Sequence, residues 1–347
     1  MGTSAESAKK RWGWSIAVPA IITSAALALS GCASNGPSSS STAGASGKGP
    51  TIAVIGGMPS DAFWTTVKNG AEAAGAAMAA NGGKVEWLGL KNYDNLGPDA
   101  ADLVRTAIAN KVDAIAVPDW VPDAENDAIK QAVAAGIPVI IFNAGGEDAV
   151  KATGALMYIG TDEYEAGVSG GEEFATNGAK NVICVNTNPG SVNQEARCKG
   201  VADGLASSGG KATQLPLPTS SFGDQAAISQ AIKGALTADS TIDGVITIGA
   251  QDSDAAASGV QQAGVGSRVK IGTFDLSENV LKRISDGSQL FAIDQQPYLQ
   301  GYLAASYAWQ YKQFGITSPL KTILTGPSLV TKDNVATVTA GVAAGAR

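Results

Sequence analysis

The amino-acid sequence predicts an α/β protein made of two doubly wound parallel-sheet lobes joined by a three-segment hinge. Three observations lead to this fold class. Beyond residue 50, short apolar runs alternate with longer runs in which small and apolar residues recur at helical spacing. This alternation restarts near the middle of the chain, and 347 residues are enough for two domains. Alternating strands and helices favour parallel sheets with right-handed crossovers.

The first series of elements consists of four predicted strands separated by three helices. Each strand is a short and largely apolar run, as expected where helices cover both faces of a sheet. The predicted strands are residues 51–55, 84–90, 112–117 and 137–142, and the helices are residues 62–80, 99–110 and 123–135.

The second series begins after the apolar run at residues 156–159 and again alternates helices with strands. Two such units placed back to back leave a cleft between them, where small ligands bind. Residues 331–347 are mostly Ala, Gly, Val and Thr, and we expect them only to pack or fray. The predicted helices are residues 162–177, 194–207, 224–236, 253–263 and 278–285, and the strands are residues 181–185, 211–215, 242–248, 269–274 and 290–293.

The N-terminal segment predicts export and membrane anchoring. Three basic residues at 9–11 precede an apolar stretch at 12–29, as in a secretory signal. Residues 29–32, Leu-Ser-Gly-Cys, resemble the lipobox of bacterial lipoproteins, in which the signal is cut before a cysteine that then receives a lipid. We therefore expect a signal peptide at 1–31 and an extracytoplasmic protein that is lipid-anchored to the cell membrane through Cys32. A single transmembrane anchor is the alternative, although the many Ala and Ser residues make a weak span.

The residues between the signal and the first strand have the composition of a linker. Residues 32–50 are almost entirely Ser, Gly, Ala and Thr, which cannot form a core, so we expect a flexible tether. The whole chain has 24 basic and 31 acidic residues and a net charge of −7, and its basic cluster lies at residues 9–11. This charge distribution argues against nucleic acid as a partner.

Polar and aromatic side chains follow the predicted strands at the point where each strand ends. In parallel sheets the carboxyl ends of the strands meet at one edge, which is where ligands bind. Carboxylates and amides can exchange hydrogen bonds with hydroxyls, and Trp and Phe can pack against the C–H face of a sugar or polyol, so we expect a polyhydroxylated ligand. The residues at these strand ends are Asp61, Phe63, Trp64, Asp119, Trp120, Asn143, Gln251, Asp275 and Gln295.

These residues also have a structural interpretation. The aromatic residues could be ordinary core residues, and the pair Gln295 and Gln296 could be a polar turn before a helix that begins at Pro297. For Trp64 and Trp120 we favour binding, because Trp is rarely fully buried.

Taken in order, the motifs of this chain resemble the ribose-binding-like branch of type I periplasmic sugar-binding proteins, which serve ATP-driven importers. The resemblance covers about residues 51–330 and rests on the order and spacing of the motifs. They are Ser-Asp-Ala-Phe-Trp at 60–64, Ala-Ala-Gly-Ile-Pro-Val-Ile at 134–140, Arg-Cys-Lys-Gly at 197–200, Gly-Thr-Phe-Asp at 272–275, and Gln295 at a lobe crossing.

The resemblance implies the type I periplasmic binding protein fold and a function. Such a protein captures a small sugar or sugar alcohol between its lobes and delivers it to an ABC permease by hinge closure, as a monomer without a cofactor or metal. The N-terminal lobe is expected at 51–160 plus 297–325, and the C-terminal lobe at 161–296 plus 326–347. The implied ligand-binding set is the nine strand-end residues together with Arg197, whose family counterpart holds sugar hydroxyls.

Two departures from the family pattern bear on the ligand. The family often has Asp-Arg where this chain has Asn143 and Ala144, and the ribose-binding pattern has Asn where this chain has Gln251. Loss of the Arg removes a strong charge-assisted donor, which argues against ribose itself. The remaining pattern resembles receptors for pentoses, sugar alcohols and inositol-like compounds, and we expect a ligand from this group.

The resemblance also bears on the three cysteines. Cys32 belongs to the lipobox, Cys184 ends a strand, and Cys198 lies in the next helix. In an oxidising compartment we expect a disulfide between Cys184 and Cys198, which would help to hold Arg197 in place. Two free buried thiols are the alternative.

Enzymatic function has little support in the sequence. The chain has no histidine, which excludes His-activated nucleophiles and His-ligated metal sites. A carbohydrate-active enzyme with Asp61 and Asp275 flanking a glycosidic bond remains an alternative. A transcription regulator of the same fold would carry a helix-turn-helix in place of the signal and tether. A lipoprotein that presents its sugar to a membrane receptor is another alternative, which the sequence does not separate from import.

Overall fold

The computed structural model describes residues 49–347. The predicted signal peptide at 1–31, the predicted lipidation site Cys32 and most of the predicted tether lie outside the described residues. No helix in residues 49–347 is both long enough and apolar enough to span a membrane.

The described residues form two six-stranded sheets with flanking helices, and the predicted α/β fold class is confirmed. The strands are β1 (Thr51–Gly56), β2 (Lys84–Gly89), β3 (Ala114–Val117), β4 (Val139–Phe142), β5 (Tyr158–Thr161), β6 (Asn181–Asn186), β7 (Lys211–Pro216), β8 (Gly244–Thr247), β9 (Lys270–Phe274), β10 (Phe291–Asp294), β11 (Thr322–Gly326) and β12 (Ser328–Thr331). The helices are α1 (Ala62–Met78), α2 (Leu96–Ala109), α3 (Pro122–Ala134), α4 (Gly146–Thr153), α5 (Glu163–Thr176), α6 (Val192–Ala206), α7 (Gln225–Ala238), α8 (Ala250–Gln262), α9 (Glu278–Asp286), α10 (Pro297–Phe314) and α11 (Ala336–Ala343).

The strand order divides the chain into two lobes. The first sheet has the order β11-β5-β4-β3-β1-β2 and is parallel throughout. The second has the order β12-β10-β9-β8-β6-β7 and is parallel except for β12, which runs antiparallel to β10. We call the parts built on these sheets the first and second lobe. The chain passes between them three times: after β5, after β10 and after β11.

Residue alternation in β1 shows how both faces of a sheet are buried. Ile52 and Val54 belong to the apolar cluster that contains residues of α1 and α10, whereas Ala53 and Ile55 belong to the cluster that contains residues of α2 and α3. All four are fully buried. Successive side chains of a strand point to opposite faces, so an unbroken apolar run is required where both faces carry helices.

Two helix pairs approach so closely that only glycine fits between them. A Cβ on Gly301 of α10 would lie 2.0 Å from the carbonyl oxygen of Val67 in α1. A Cβ on Gly200 of α6 would lie 2.1 Å from the carbonyl oxygen of Tyr164 in α5. Because Gly200 closes the Arg-Cys-Lys-Gly motif, this contact sets Arg197 directly beside α5.

Four short elements lie outside the predicted pattern: α4, β11, β12 and α11. Helix α4 has eight residues and begins at Gly146, where the sequence lacks an apolar helical repeat. Strand β11 is at a sheet edge and leaves Leu324 55% exposed, so it lacks the apolar run of a central strand. Helix α11 gives the tail a defined structure, with Val335 just before it and Val338 within it buried in the second lobe.

A disulfide joins Cys184 in β6 to Cys198 in α6, as expected from the sequence, with the two Cα atoms 5.6 Å apart. The sequence separation is 14 residues. The bridge therefore fastens the helix that carries Arg197 to a strand inside the second sheet.

Replacing both Cys184 and Cys198 with serine should lower the free energy of unfolding by about 3 kcal/mol, because closure of a short loop restricts the unfolded chain. Denaturant titration of the oxidised wild type and of the double variant measures the difference. Reduced wild type is the control and should unfold like the variant. Equal midpoints for the oxidised wild type and the variant would contradict the prediction.

Candidate functional site

A cavity lies between the two lobes at the carboxyl ends of strands from both sheets. Its volume, measured as the space open to the centre of a water molecule, is about 50 Å³. Nine of the ten predicted ligand-binding residues line it. They are Asp61, Phe63, Trp64, Trp120, Asn143, Arg197, Gln251, Asp275 and Gln295.

Asp119 is the predicted residue that does not line this cavity. Its side chain is fully buried, and burial raises its pKa to about 6. It packs beside Gly145, where an added Cβ would lie 2.8 Å from the Cβ of Asp119. Neighbouring residues at a strand end point to opposite sides, so Asp119 faces away from the cavity that Trp120 lines.

Asp61 precedes helix α1 and organises the first-lobe side of the cavity. Its carboxylate accepts hydrogen bonds from the backbone N–H of Phe63 (3.0 Å) and from the hydroxyl of Tyr93 (3.0 Å). The first bond caps the helix and so fixes the directions of Phe63 and Trp64. Burial raises the pKa of Asp61 to about 6, although both hydrogen bonds act in the opposite direction.

The aromatic residues form a wall with fixed ring planes. Trp64 contacts Phe63, Trp120 and Phe142 edge to face, with ring centroids 5.3, 5.4 and 6.0 Å apart. Trp64 and Trp120 are only 5% and 4% exposed and belong to the first-lobe core as well as to the cavity lining. Both interpretations of these two residues, core packing and cavity wall, therefore hold at once.

Arg197 on α6 is buried and organises the second-lobe side of the cavity. Its Nε donates to Glu163 Oε2 (2.7 Å) and its Nη2 to Gln295 Oε1 (2.7 Å). Its Nη1 donates to Gln194 Oε1 (3.2 Å) and to the carbonyl oxygen of Ile248 (2.8 Å). Within the described residues these contacts use four of the five guanidinium N–H groups, which leaves one for a ligand.

The protein itself compensates the charge of Arg197. Burial disfavours the cation, but Glu163 and then Asp275 outweigh that effect, so the pKa of Arg197 is raised. The guanidinium carbon also lies 4.5 Å from the centroid of the Phe274 ring. A cation over an aromatic face is stabilised by the ring's electron density.

Asp275 and Gln295 connect the ends of β9 and β10. The Nε2 of Gln295 donates to Asp275 Oδ1 while its Oε1 accepts from Arg197, so one amide joins the two charged side chains. Asp275 has a left-handed backbone conformation, with φ of 66°. Strain of this kind concentrates at binding sites. Burial raises the pKa of Asp275 to about 7, against the opposing effects of Arg197 and Gln295.

The structure distinguishes the two neighbouring amides after β10. Gln295 is 1% exposed and lines the cavity, whereas Gln296 donates from Nε2 to the carbonyl oxygen of Thr325 (2.7 Å) at the third crossing. Gln300 extends the network, since it accepts from Asn143 Nδ2 (3.2 Å) and donates to the carbonyl oxygen of Gln295 (3.2 Å). Amide hydrogen bonds thus link β4 to the second and third crossings.

Contacts across the cavity hold the lobes together. The rings of Tyr93 and Phe222 meet edge to face with centroids 4.7 Å apart. The backbone N–H of Val192 donates to the carbonyl oxygen of Trp120 (2.9 Å). Each contact has one partner in each lobe, so the structure represents a closed arrangement.

Seven lining residues are missing from the predicted set. Tyr93 and Phe222 come from loops that follow the edge strands β2 and β7. The available signal was a single aromatic residue flanked by turn-forming residues, as in Asn-Tyr-Asp and Ser-Phe-Gly. The missing residues are Tyr93, Asn188, Asn193, Gln194, Phe222, Ile248 and Gly249.

Comparison with known proteins identifies the family. Residues 52–315 match the family described as periplasmic binding protein domain. The chain belongs to this family. The assignment confirms the predicted resemblance to type I periplasmic sugar-binding proteins. In residues 49–347, no group of three or more acidic or cysteine side chains is arranged to hold a metal ion.

Three relatives illustrate the similarity. A carbohydrate transporter from Acidothermus cellulolyticus 11B, in complex with myo-inositol, is 39% identical with a TM-score of 0.78, over 86% of this chain and 100% of that one. A chain of a XylFII-LytSN complex is 25% identical with a TM-score of 0.71, over 82% of this chain and 98% of that one. The xylose/arabinose-binding protein XylF of Sulfolobus acidocaldarius is 25% identical over 265 residues, which is 70% of this chain.

The match to XylF spans 64% of that protein, less than two thirds of its length. The relatives are solute-binding proteins rather than enzymes. This agrees with the prediction that the chain is not an enzyme, which rests on the absence of histidine.

Replacing Asp275 with asparagine should stabilise the unliganded protein at pH 8. The pKa of Asp275 rises from 3.8 to about 7 on folding. Between these values the folded state binds more protons than the unfolded state, so this group makes the fold less stable as the pH rises. Asparagine removes the ionisation, and the variant should melt about 2–4 °C above the wild type at pH 8. The difference should shrink toward pH 4.

Thermal unfolding at both pH values checks this expectation. The control is Asp148→Asn, because the Asp148 side chain is 98% exposed. A variant at position 275 that melts below the wild type at pH 8 would show that the ionised carboxylate is a net stabilising partner of Arg197.

Proposed function

We propose that this protein is an extracytoplasmic solute-binding lipoprotein that captures a small sugar or sugar alcohol and delivers it to an ABC importer. The observation that carries the proposal is the chemistry of the closed cavity. One guanidinium N–H, two carboxylates and several amides face a space walled by fixed aromatic rings. Such a set can exchange hydrogen bonds with many hydroxyls while the rings pack against C–H groups.

The size and charge of the cavity favour one neutral ring. The volume that the centre of a water molecule can reach is about 50 Å³. The volume measured out to the cavity walls is a few times larger. This is the size of a monosaccharide or a cyclic polyol rather than of a chain of sugars. The lining contains Asp61, Asp275 and a single cation, Arg197, which is already paired with Glu163. An anionic ligand is therefore disfavoured.

Each part of the lining has a proposed role. Asp61 and Asp275 accept hydroxyl hydrogens from opposite lobes, and Arg197 donates its remaining N–H to a hydroxyl oxygen. Charge-assisted hydrogen bonds of this kind are the strong ones in a dry site. Trp64 and Trp120 pack against the apolar side of the ring. The relative in complex with myo-inositol and the xylose/arabinose-binding protein support a cyclic polyol or a pentose.

Hinge closure is the proposed mechanism of capture. Asp61 and Arg197 belong to different lobes and are only 7% and 2% exposed, so a ligand between them enters and leaves only when the lobes separate. A ligand that contacts both lobes shifts the population toward the closed state. The lipid on Cys32 and the tether would keep this state close to the membrane partner.

A second candidate function is presentation of the bound sugar to a membrane receptor. The similarity to XylFII supports it, because that protein is found in complex with a second protein, LytSN. Both functions use the same cleft and the same closed state. Ligand binding therefore tests the shared part of the two proposals.

The wild type should bind at least one small neutral polyol or sugar, which raises its melting temperature by mass action. The panel is myo-inositol, D-xylose, D-arabinose, D-glucose and D-ribose, and the measurement is thermal unfolding followed by isothermal titration. Absence of a shift with every compound would contradict the carbohydrate proposal.

Asp275→Asn should weaken binding of the active compound about 100-fold, because one charge-assisted acceptor is lost. The variant tests the site cleanly, since it is expected to fold at least as stably as the wild type. Isothermal titration measures the change, and Asp148→Asn is the matched control with wild-type affinity. Unchanged affinity at position 275 would remove that residue from the proposed site.

Phe222→Ala should increase the rate of ligand release about tenfold, because it removes the aromatic contact with Tyr93 that joins the closed lobes. Stopped-flow measurement of intrinsic Trp fluorescence records release directly. The control is Phe314→Ala, because Phe314 is 55% exposed and does not line the cavity. Equal release rates for Phe222→Ala and wild type would contradict a role for this contact in closure.

A further inference from the structure

The segment after helix α11 returns toward the hinge. Gly345 has a left-handed backbone, with φ of 65°, and the N–H of Ala346 donates to the carbonyl oxygen of Gly341 (2.9 Å). This pattern ends a helix and reverses the chain. The stem of Arg347 then lies across Gly341, where an added Cβ would be 2.8 Å from the Arg347 Cδ. The reversal places a guanidinium beside the second crossing.

Arg347 pairs with a buried carboxylate at that crossing. Its Nε donates to Asp294 Oδ2 (2.7 Å), and its Nη2 lies 2.7 Å from the same oxygen as an ion-pair contact. Asp294 is the last residue of β10 and is 1% exposed. Its other oxygen, Oδ1, accepts from the backbone N–H of Gln296 (2.8 Å). The Asp294 carboxylate therefore holds the backbone N–H of Gln296, the residue that follows Gln295.

The same segment reaches the first lobe. A Cβ on Gly345 would lie 3.5 Å from Nδ2 of Asn69, which belongs to α1. Arg347 also lines a surface cavity together with Phe63 and Asp275, and both of those residues line the ligand cavity as well. Arg347 thus lies behind the ligand cavity and does not line it.

We propose that Arg347 is a positioning residue for ligand binding, which acts through Asp294 on the crossing that carries Gln295 into the cleft. Without the guanidinium, Asp294 would be a buried charge lacking its cation, which is strongly unfavourable. The carboxylate would turn toward water, and its bond to the N–H of Gln296 would weaken. Gln295 would then lose the fixed position from which it joins Arg197 to Asp275.

Two variants of the full chain test this role, with two measurements. Arg347→Met removes the charge and keeps the length, and Arg347→Lys keeps the charge. Arg105→Met is the control, because Arg105 forms an exposed ion pair with Asp102 on α2. Isothermal titration with myo-inositol gives the affinity and rests on the proposed function. Amide hydrogen exchange of residues 295–300 in the unliganded protein does not depend on any ligand.

Arg347→Met should bind myo-inositol about tenfold more weakly than wild type, as expected for a residue coupled to a site without touching the ligand. It should also exchange the amides of residues 295–300 faster, whereas Arg347→Lys and Arg105→Met should resemble wild type in both measurements. Affinity within twofold of wild type together with unchanged exchange would overturn the proposal. So would weaker binding with unchanged exchange, because the effect would then not pass through the crossing.

A further variant keeps the proposal testable if Arg347→Met does not fold. Gly341→Ala retains every charged group but displaces the Arg347 stem, so the same two changes are expected, and their absence counts against the proposal. If the wild type does not bind myo-inositol, that result bears on the proposed ligand. Hydrogen exchange alone then decides whether Arg347 fixes the crossing.

Discussion

The buried guanidinium of Arg197 is the constraint on which the cleft depends. A cation removed from water must be surrounded by fixed acceptors. Apart from Gln194 on the same helix, those acceptors come from three separate places: Glu163 on α5, the carbonyl oxygen of Ile248 after β8, and Gln295 after β10. The close contact of α5 with α6, which requires Gly200, brings the first of them within reach. Gln295 also lies at the second crossing. The hydrogen bond that Arg197 requires from Gln295 therefore links the cleft to the segment in which the chain passes between the lobes.

The polar contacts of the cleft fall into two groups with different consequences for motion. Gln296 and Thr325 bond to each other between the second and third crossings, so these bonds need not break when the lobes separate. The bond between Val192 and the carbonyl oxygen of Trp120 spans the cleft and must break. In the proposed hinge motion, the first group would lie at the axis about which the lobes turn. The second group contributes to the stability of the closed state alone.

Most of the cavity lining could be predicted because strand ends can be located from sequence. An apolar run that gives way to a helical repeat marks a strand end, and the carboxyl ends of parallel strands meet at one edge. The pattern does not say which side a residue faces, and for that reason Asp119 was grouped with Trp120. It also misses Tyr93 and Phe222, which only the contact between lobes brings together. The partner of Arg347 lies in a distant strand, and no local pattern reports such a contact.

In the proposed mechanism, the acidic residues of the cleft would oppose closure in the absence of a ligand. Burial is the main reason that the pKa of Asp275, in the second lobe, is raised to about 7, and the charge of Asp61 in the first lobe acts in the same direction. Closing an empty cleft near neutral pH therefore buries carboxylates of like charge near one another. A polyol that donates hydroxyl hydrogens to both lobes would replace this repulsion with shared hydrogen bonds. The side chains proposed to recognise the ligand would thus also reopen the lobes once it has left, as a protein that must deliver its ligand repeatedly requires.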